Sequence, residues 1–172
     1  MLERCGQVVP TSRHREALSP GWTFLDLADG ASLDRVLEDQ DPDLVVNAGA
    51  YTAVDRAEDE PELAHAVNAD APARLGAWAN SRDRAVLHFS TDYVFAGDGD
   101  RPWREDDPTG PLSVYGASKL AGEQALAASG CRHLVLRSAW IYAAHGNNFV
   151  LKMLELARAG RANLAPAPDG SH

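Results

Sequence analysis

The run Ala85-Val86-Leu87-His88-Phe89-Ser90-Thr91-Asp92-Tyr93-Val94-Phe95 decides the fold class. Its first half is apolar almost without alternation, the pattern of a strand covered on both faces rather than on one. It then turns small and polar, so the chain leaves the sheet at a polar edge. The pattern recurs upstream at Leu44-Val45-Val46-Asn47, followed by the loop Ala48-Gly49-Ala50, and downstream from Cys131 to Ser138. Shorter strand candidates lie at Gln7 to Pro10 and at Trp22 to Leu25. Between these runs, apolar spacing and end signals predict helices over Asp29 to Glu38, Glu60 to Asn80, Ser113 to Ser129 and Asn148 to Ala159. Asp41-Pro42-Asp43 is the turn that ends the first of them. Strands alternating with helices predict an α/β fold with a doubly wound parallel sheet. Ligands of such sheets sit beyond the carboxyl ends of the strands, where Asn47 to Thr52, Ser90 to Tyr93 and Ser138 to Trp140 all fall.

Composition narrows the partners. At 172 residues the chain accommodates one domain with a sizeable core. A formal net charge of −9 and scattered basic residues argue against nucleic acid or an anionic membrane as main partner. No apolar run approaches the ~20 residues of a membrane span, and the first residues carry no signal-peptide pattern. Cys5 and Cys131 make neither a metal spacing nor a disulfide framework, so a reduced, cytoplasmic setting is expected. His14, His65 and His145 lack ligand-like spacing, and no metal site is expected.

The chemistry concentrates between Ser90 and Lys119. In Tyr115-Gly116-Ala117-Ser118-Lys119 the Tyr and Lys stand four apart, hence on one helix face and within reach of one ligand. A Lys ammonium favours phenolate and so brings a phenol of ordinary pKa ~10 closer to working pH. A hydroxyl at the preceding strand end, Thr91, can share the same substrate oxygen. Together these groups suit proton movement at a carbonyl oxygen while hydride moves at carbon. Structural readings stand beside the functional ones. Tyr115 and Lys119 alone would pass as surface helix residues, Trp140 as core, and Asp26 as a residue at a helix N-terminus. His88, on an apolar strand, reads as a buried hydrogen-bonded histidine. Glu58-Asp59-Glu60 reads as an acidic first turn that needs no functional explanation.

Several motifs in order then carry a family resemblance. They are Asn47-Ala48-Gly49-Ala50-Tyr51-Thr52-Ala53-Val54-Asp55, then Glu58, Glu60-Pro61 and Asn68, then His88 to Phe95 and Gly97. Pro102-Trp103, Pro111-Leu112, Tyr115-Gly116 and Lys119-Leu120-Ala121-Gly122-Glu123 follow, then Arg137-Ser138-Ala139-Trp140-Ile141-Tyr142 and Gly146-Asn147-Asn148-Phe149. From about Asp26 to Leu156 the chain resembles the dTDP-4-dehydrorhamnose reductases, extended short-chain dehydrogenases with a Rossmann-like sheet that make dTDP-L-rhamnose for cell-surface polysaccharides. The resemblance implies that Tyr115 donates a proton to the sugar's 4-keto oxygen, that Lys119 holds the nicotinamide ribose and lowers the Tyr115 pKa, and that Thr91 hydrogen-bonds the same carbonyl. Asp92 and Trp140 would contact the sugar nucleotide. Asp26 and Leu27 would flank the adenine, and Ala50, Tyr51 and Thr52 would line its ribose and the pyrophosphate. Ser12 and Arg13 would read the adenosine 2′ position, an Arg there favouring NADPH over NADH. A homodimer is compatible with the family.

The sequence also departs from that pattern. No Gly-rich turn of the dinucleotide-binding type occurs; Met1 to Cys5 reads as the tail of a first helix and Gly6 to Pro10 as a second strand. Residues 1–156 are therefore expected to form a partial NAD(P)-binding domain lacking its first strand. Residues 157–172, rich in Ala and Pro, are expected to be a disordered tail, with the sugar-nucleotide domain absent. Dinucleotide binding by the chain as written is expected to be weak, with no turnover. A non-catalytic regulatory module of the same fold and a decayed remnant stand as alternatives to the reductase.

Overall fold

A computed structural model describes residues 6–17, 19–98, 100–146 and 148–159. The chain divides into two compact units, Met1–Arg137 and Ser138–His172. The expected first-helix tail at Met1 to Cys5 lies outside the described residues, as do residues 160–172 of the expected tail.

In the first unit the strands form two parallel ladders. The smaller joins β1 (Thr11–Ser12) to β2 (Thr23–Phe24), with Thr11 opposite Thr23. The expected strand at Gln7 to Pro10 is displaced to Thr11–Ser12. Thr23 N donates to Pro10 O at 2.9 Å and Leu25 N to Ser12 O at 3.0 Å; Pro10 has no N–H of its own with which to extend the ladder backward. The larger ladder has the order β3 (Leu44–Asn47), β4 (Ala85–Thr91), β5 (Arg132–Ser138). β3 and β4 run parallel, and their register sets Asn47 opposite His88. Both the α/β class and the parallel strands agree with the sequence expectation.

Helix α1 (Gly30–Gln40) starts where Asp29 caps it, its side chain accepting from Ala31 N, and ends where Asp41 takes a left-handed turn (φ 37°). Leu33, Val36 and Leu37, at helical spacing, are its buried face. The predicted long helix from Glu60 to Asn80 is three pieces: α3 (Pro61–His65), a π-helical turn over Ala66–Asp70, and α4 (Ala71–Ser81), preceded by the short α2 (Val54–Ala57). Pro72 supplies the reason. It cannot donate to the carbonyl four residues back, that of Asn68, and its ring crowds that carbonyl, so the chain widens by one residue, with Ala71 N–H bonded to Ala66 O.

Helix α5 (Val114–Ser129) is capped by Ser113, whose hydroxyl accepts from Gly116 N, and ends at Gly130 in the left-handed region (φ 76°). It lies tight against its neighbours at two glycines. A Cβ at Gly116 would run into the Tyr93 carbonyl, and one at Gly122 into the freed Asn68 carbonyl. One buried cluster joins Leu33, Leu37, Leu75, Trp78, Val86, Leu126 and Cys131; a second joins Tyr51, Ala57, Ala64 and Val67, with Tyr115 packed on it. Leu27 touches both.

The second unit holds α6 (Phe149–Arg158), which Asn148 caps by accepting from Leu151 N. Among the described residues no helix is long and apolar enough to cross a membrane.

Candidate active site

The carboxyl end of β4 and the first turns of α5 meet at one point. Lys119 is 1% exposed, and its Nζ donates to Phe89 O at 2.7 Å and lies 3.3 Å from His88 Nε2. His88, also fully buried, has its Nδ1 3.0 Å from Asn47 Nδ2, a consequence of the β3–β4 register. Burial pulls the Lys119 pKa down to about 8, while the charge of Glu123 one turn along pushes it back up. Burial, and then the Lys119 charge, hold His88 down at about 4, so its ring is neutral at ordinary pH. The reading of His88 as a buried, hydrogen-bonded histidine matches this geometry.

Thr91 closes β4 and opens a single 3-10 turn: its Oγ1 accepts from Tyr93 N at 3.2 Å and lies 3.1 Å from Asp92 Oδ1, to which the hydroxyl donates. Tyr115 packs edge-on to Tyr93, ring centres 5.6 Å apart. Burial raises the Tyr115 pKa; the hydrogen bond with Thr91 works against that, and the charges of Asp92 and Tyr93 add to it. Lys119 is not among the groups that shift the Tyr115 pKa here. The ammonium is turned to Phe89 O and His88, and the phenol stays firmly protonated.

The supporting side chains were less legible. Asn68, in the π turn, accepts from Tyr51 N at 2.9 Å and donates to Tyr51 O and to Ser118 Oγ, at 3.1 and 3.0 Å. It thereby ties the loop after β3 to the helix bearing Tyr115 and Lys119. Glu58 accepts from Val114 N at 2.8 Å, capping that helix, and Glu60 accepts from Tyr51 Oη at 2.6 Å. The acidic run at 58–60 is therefore part of the site's framework rather than only a favourable first turn. Ser90 Oγ donates to Glu123 Oε1 at 2.5 Å, and Arg137 grips the same carboxylate through Nε and Nη2, the latter 2.7 Å from Oε2. The Arg137 guanidinium lies 4.9 Å over Phe95, which stacks on Trp103. One sequence signal pointed to Asn68: a lone amide on an apolar helix face, four residues before a proline.

The remaining candidates are dispersed. Ser12 is in β1, and its hydroxyl accepts from His14 N. Arg13, His14, Arg15, Glu16 and Phe24 line a recess in which the Arg15 guanidinium stacks 3.5 Å over Phe24. Asp26 is not a helix N-terminal residue; Asp29 caps α1, and Asp26 instead accepts from Ala28 N at 3.0 Å. Leu27 stands so close to Gly49 that a Cβ there would meet its Cδ1 at 2.7 Å. Ala50 and Thr52 flank the buried Tyr51 in the loop after β3. Trp140 belongs to the second unit, 74% exposed, left-handed at φ 51° and edge-on to Phe149.

A parallel α/β sheet with helices packed along it and Thr91 and Lys119 near the carboxyl end of its middle strand is a Rossmann-like arrangement. The chain belongs to the family described as the RmlD substrate binding domain, whose model matches residues 4–167. It is 53% identical over 128 residues to the dTDP-4-dehydrorhamnose reductase of Escherichia coli, which covers 74% of this chain and 42% of that protein. Among solved structures, a Clostridium acetobutylicum dTDP-4-dehydrorhamnose reductase superposes with a TM-score of 0.75 at 36% identity, covering 80% of this chain and 50% of the other. The Bacillus anthracis reductase, solved in complex with NADP, gives a TM-score of 0.74 at 31% identity over 84% of this chain and 54% of the other. The chain thus spans about half the length of the relatives it matches.

Proposed function

We propose that this chain carries the chemical centre of a dTDP-4-dehydrorhamnose reductase, which reduces the 4-keto group of dTDP-4-dehydro-L-rhamnose to dTDP-L-rhamnose. The observation that carries this reading is the meeting of Thr91, Tyr115 and Lys119 at one strand end, in a fold shared with reductases of that name. The donor set fits a nicotinamide ribose and a ketone. A buried cation bonded to a neutral carbonyl and facing a neutral ring keeps its charge for a ligand, and a protonated phenol stands one helical turn away. NADPH or NADH, when bound, supplies the hydride.

Tyr115 gives its proton to the 4-keto oxygen as negative charge develops there. A phenol whose pKa is raised is fully protonated at working pH, as a donor must be. Thr91, its hydroxyl turning from Asp92, donates to the same oxygen, Lys119 holds the nicotinamide ribose, and solvent reprotonates the Tyr115 phenolate. Asp92 contacts the sugar nucleotide. Residues 1–156 carry the nucleotide-binding part, with Asp26 and Leu27 at the adenine and Ala50, Tyr51 and Thr52 at the ribose and pyrophosphate. Ser12 and Arg13 are assigned to the 2′ position, and Arg13, in a recess shared with Arg15 and Glu16, favours NADPH.

The test is NADPH oxidation by a protein carrying this chain, with dTDP-4-dehydro-L-rhamnose as substrate. Tyr115→Phe is expected to lower turnover about 10²- to 10⁴-fold with NADPH affinity little changed. Near-normal rates in that variant would remove Tyr115 as proton donor, and oxidation with another 4-keto sugar nucleotide but not with this one would remove the substrate assignment.

A further inference from the structure

His88 has no part in the reaction just described, yet its Nε2 lies 3.3 Å from the Lys119 ammonium. An ammonium donates hydrogen bonds and accepts none. A neutral imidazole has one donor and one acceptor, and an amide nitrogen only donates. With Asn47 Nδ2 at 3.0 Å from Nδ1 and Lys119 Nζ at 3.3 Å from Nε2, donors face both ring nitrogens, and the ring's one N–H has nothing to bond. Two arrangements resolve the conflict. In one, Lys119 is a neutral amine that accepts from Nε2–H. In the other, the Asn47 amide is turned by half a revolution, an exchange of oxygen and nitrogen that leaves its shape unchanged. Its Oδ1 then accepts from Nδ1–H, and Nε2 is free to accept.

The second arrangement suits the surroundings. The titratable groups around Lys119 are His88 on β4, Tyr115 one turn back on α5 and Glu123 one turn on. Of these, Glu123 favours the charged amine, and a Lys that titrates at about 8 is an ammonium at neutral pH. We infer that His88 is a positioning residue for Lys119: held in the Nδ1–H tautomer by Asn47 Oδ1, it presents Nε2 as a neutral acceptor to the ammonium. Phe89 O and His88 Nε2, both on β4, then take two of the three ammonium hydrogens and leave the third for a ligand oxygen. Neither acceptor is charged, so the cation is oriented without being neutralised. This rests on the assignment of Lys119 to the reductase site, but its test does not.

The chain contains two lysines, Lys119 and Lys152, and six histidines, so selective labelling gives few signals. With ¹⁵N-histidine and ¹³C-lysine, assigned through His88→Gln and Lys152→Arg, the His88 ring is expected to show a protonated Nδ1 and a bare Nε2, unchanged between about pH 6 and 8. A protonated Nε2 would overturn the inference. In a second arm, His88→Gln keeps an acceptor and is expected to leave the Lys119 titration near its wild-type position. His88→Leu, which has none, is expected to move it down by about one unit, a tenfold change in the protonation equilibrium. An unmoved Lys119 titration in His88→Leu would also overturn it, and should that variant fail to fold, the wild-type tautomer decides alone. Neither readout needs turnover, so an inactive protein would count against the proposed reaction and leave this result standing.

Discussion

Asn68 holds both backbone polar groups of Tyr51, accepting from its N–H at 2.9 Å and donating to its carbonyl at 3.1 Å. The pair is buried, and it fixes the loop after β3 against α5. Asn68→Leu keeps the volume but strands the Tyr51 N–H and C=O away from water. The expected cost is about 2–4 kcal/mol of unfolding free energy, two unmet buried groups at the usual penalty. Urea denaturation measures it, and a loss under about 1 kcal/mol would mean that other groups replace the amide.

The Asn68 carbonyl, released by Pro72, packs directly under Gly122. Gly122→Ala places a methyl group into that backbone carbonyl, which has no freedom to swing aside, and is expected to cost about 3 kcal/mol, the upper end for an overpacked site. Gly30→Ala is the contrast. Its methyl would meet only the Arg74 guanidinium at 2.6 Å, the far end of an exposed side chain that can swing aside. Stability there should change by less than about 1 kcal/mol, since the helix gains what glycine lacks. Parallel thermal melts of the two variants test the difference.

Glu123 serves two cations: it is bonded by Arg137 and it supports the charge on Lys119. Glu123→Gln removes the support, so Lys119 is expected to titrate below its present value of about 8. The same change weakens the hold on Arg137, which is about a quarter exposed at 24%, so the stability loss should be about 2 kcal/mol, less than for a fully buried pair. The ¹³C-lysine titration reads the first effect and chemical denaturation the second. An upward move of Lys119 would contradict the role given to Glu123.

His88 makes the protein acid-sensitive. Its pKa falls from 6.5 to about 4 on folding, so the unfolded chain takes up a proton in that window and the folded chain does not. Stability is therefore fully present above pH 6.5 and is lost as pH falls toward about 4, by up to about 3 kcal/mol for this one group. His88→Gln should flatten that part of the stability curve. Denaturation midpoints for both proteins across this range decide it, and identical slopes would assign the acid loss to other groups.

What the sequence determined by itself was local. Continuous apolar runs placed the strands at 44–47 and 85–91, Ser113 and Gly130 bounded α5, and a four-residue spacing set Tyr115 and Lys119 on one face of it. Each of these signals is complete within a few residues, because helical periodicity, caps and strand burial are short-range consequences of backbone geometry. Even locally, Pro72 sits inside the apolar period that predicts one smooth helix over Glu60 to Asn80, although its missing N–H opens the π turn on which Asn68 stands. The tertiary structure decided where the charges and hydrogen bonds go. Lys119 faces Phe89 and His88, some thirty residues away, because glycines at 116 and 122 let α5 approach this closely. Asn47 meets His88 because one strand register puts them side by side. Glu123 finds Ser90 and Arg137 across three elements. Such partners are chosen by packing and register, which no short stretch of the chain contains.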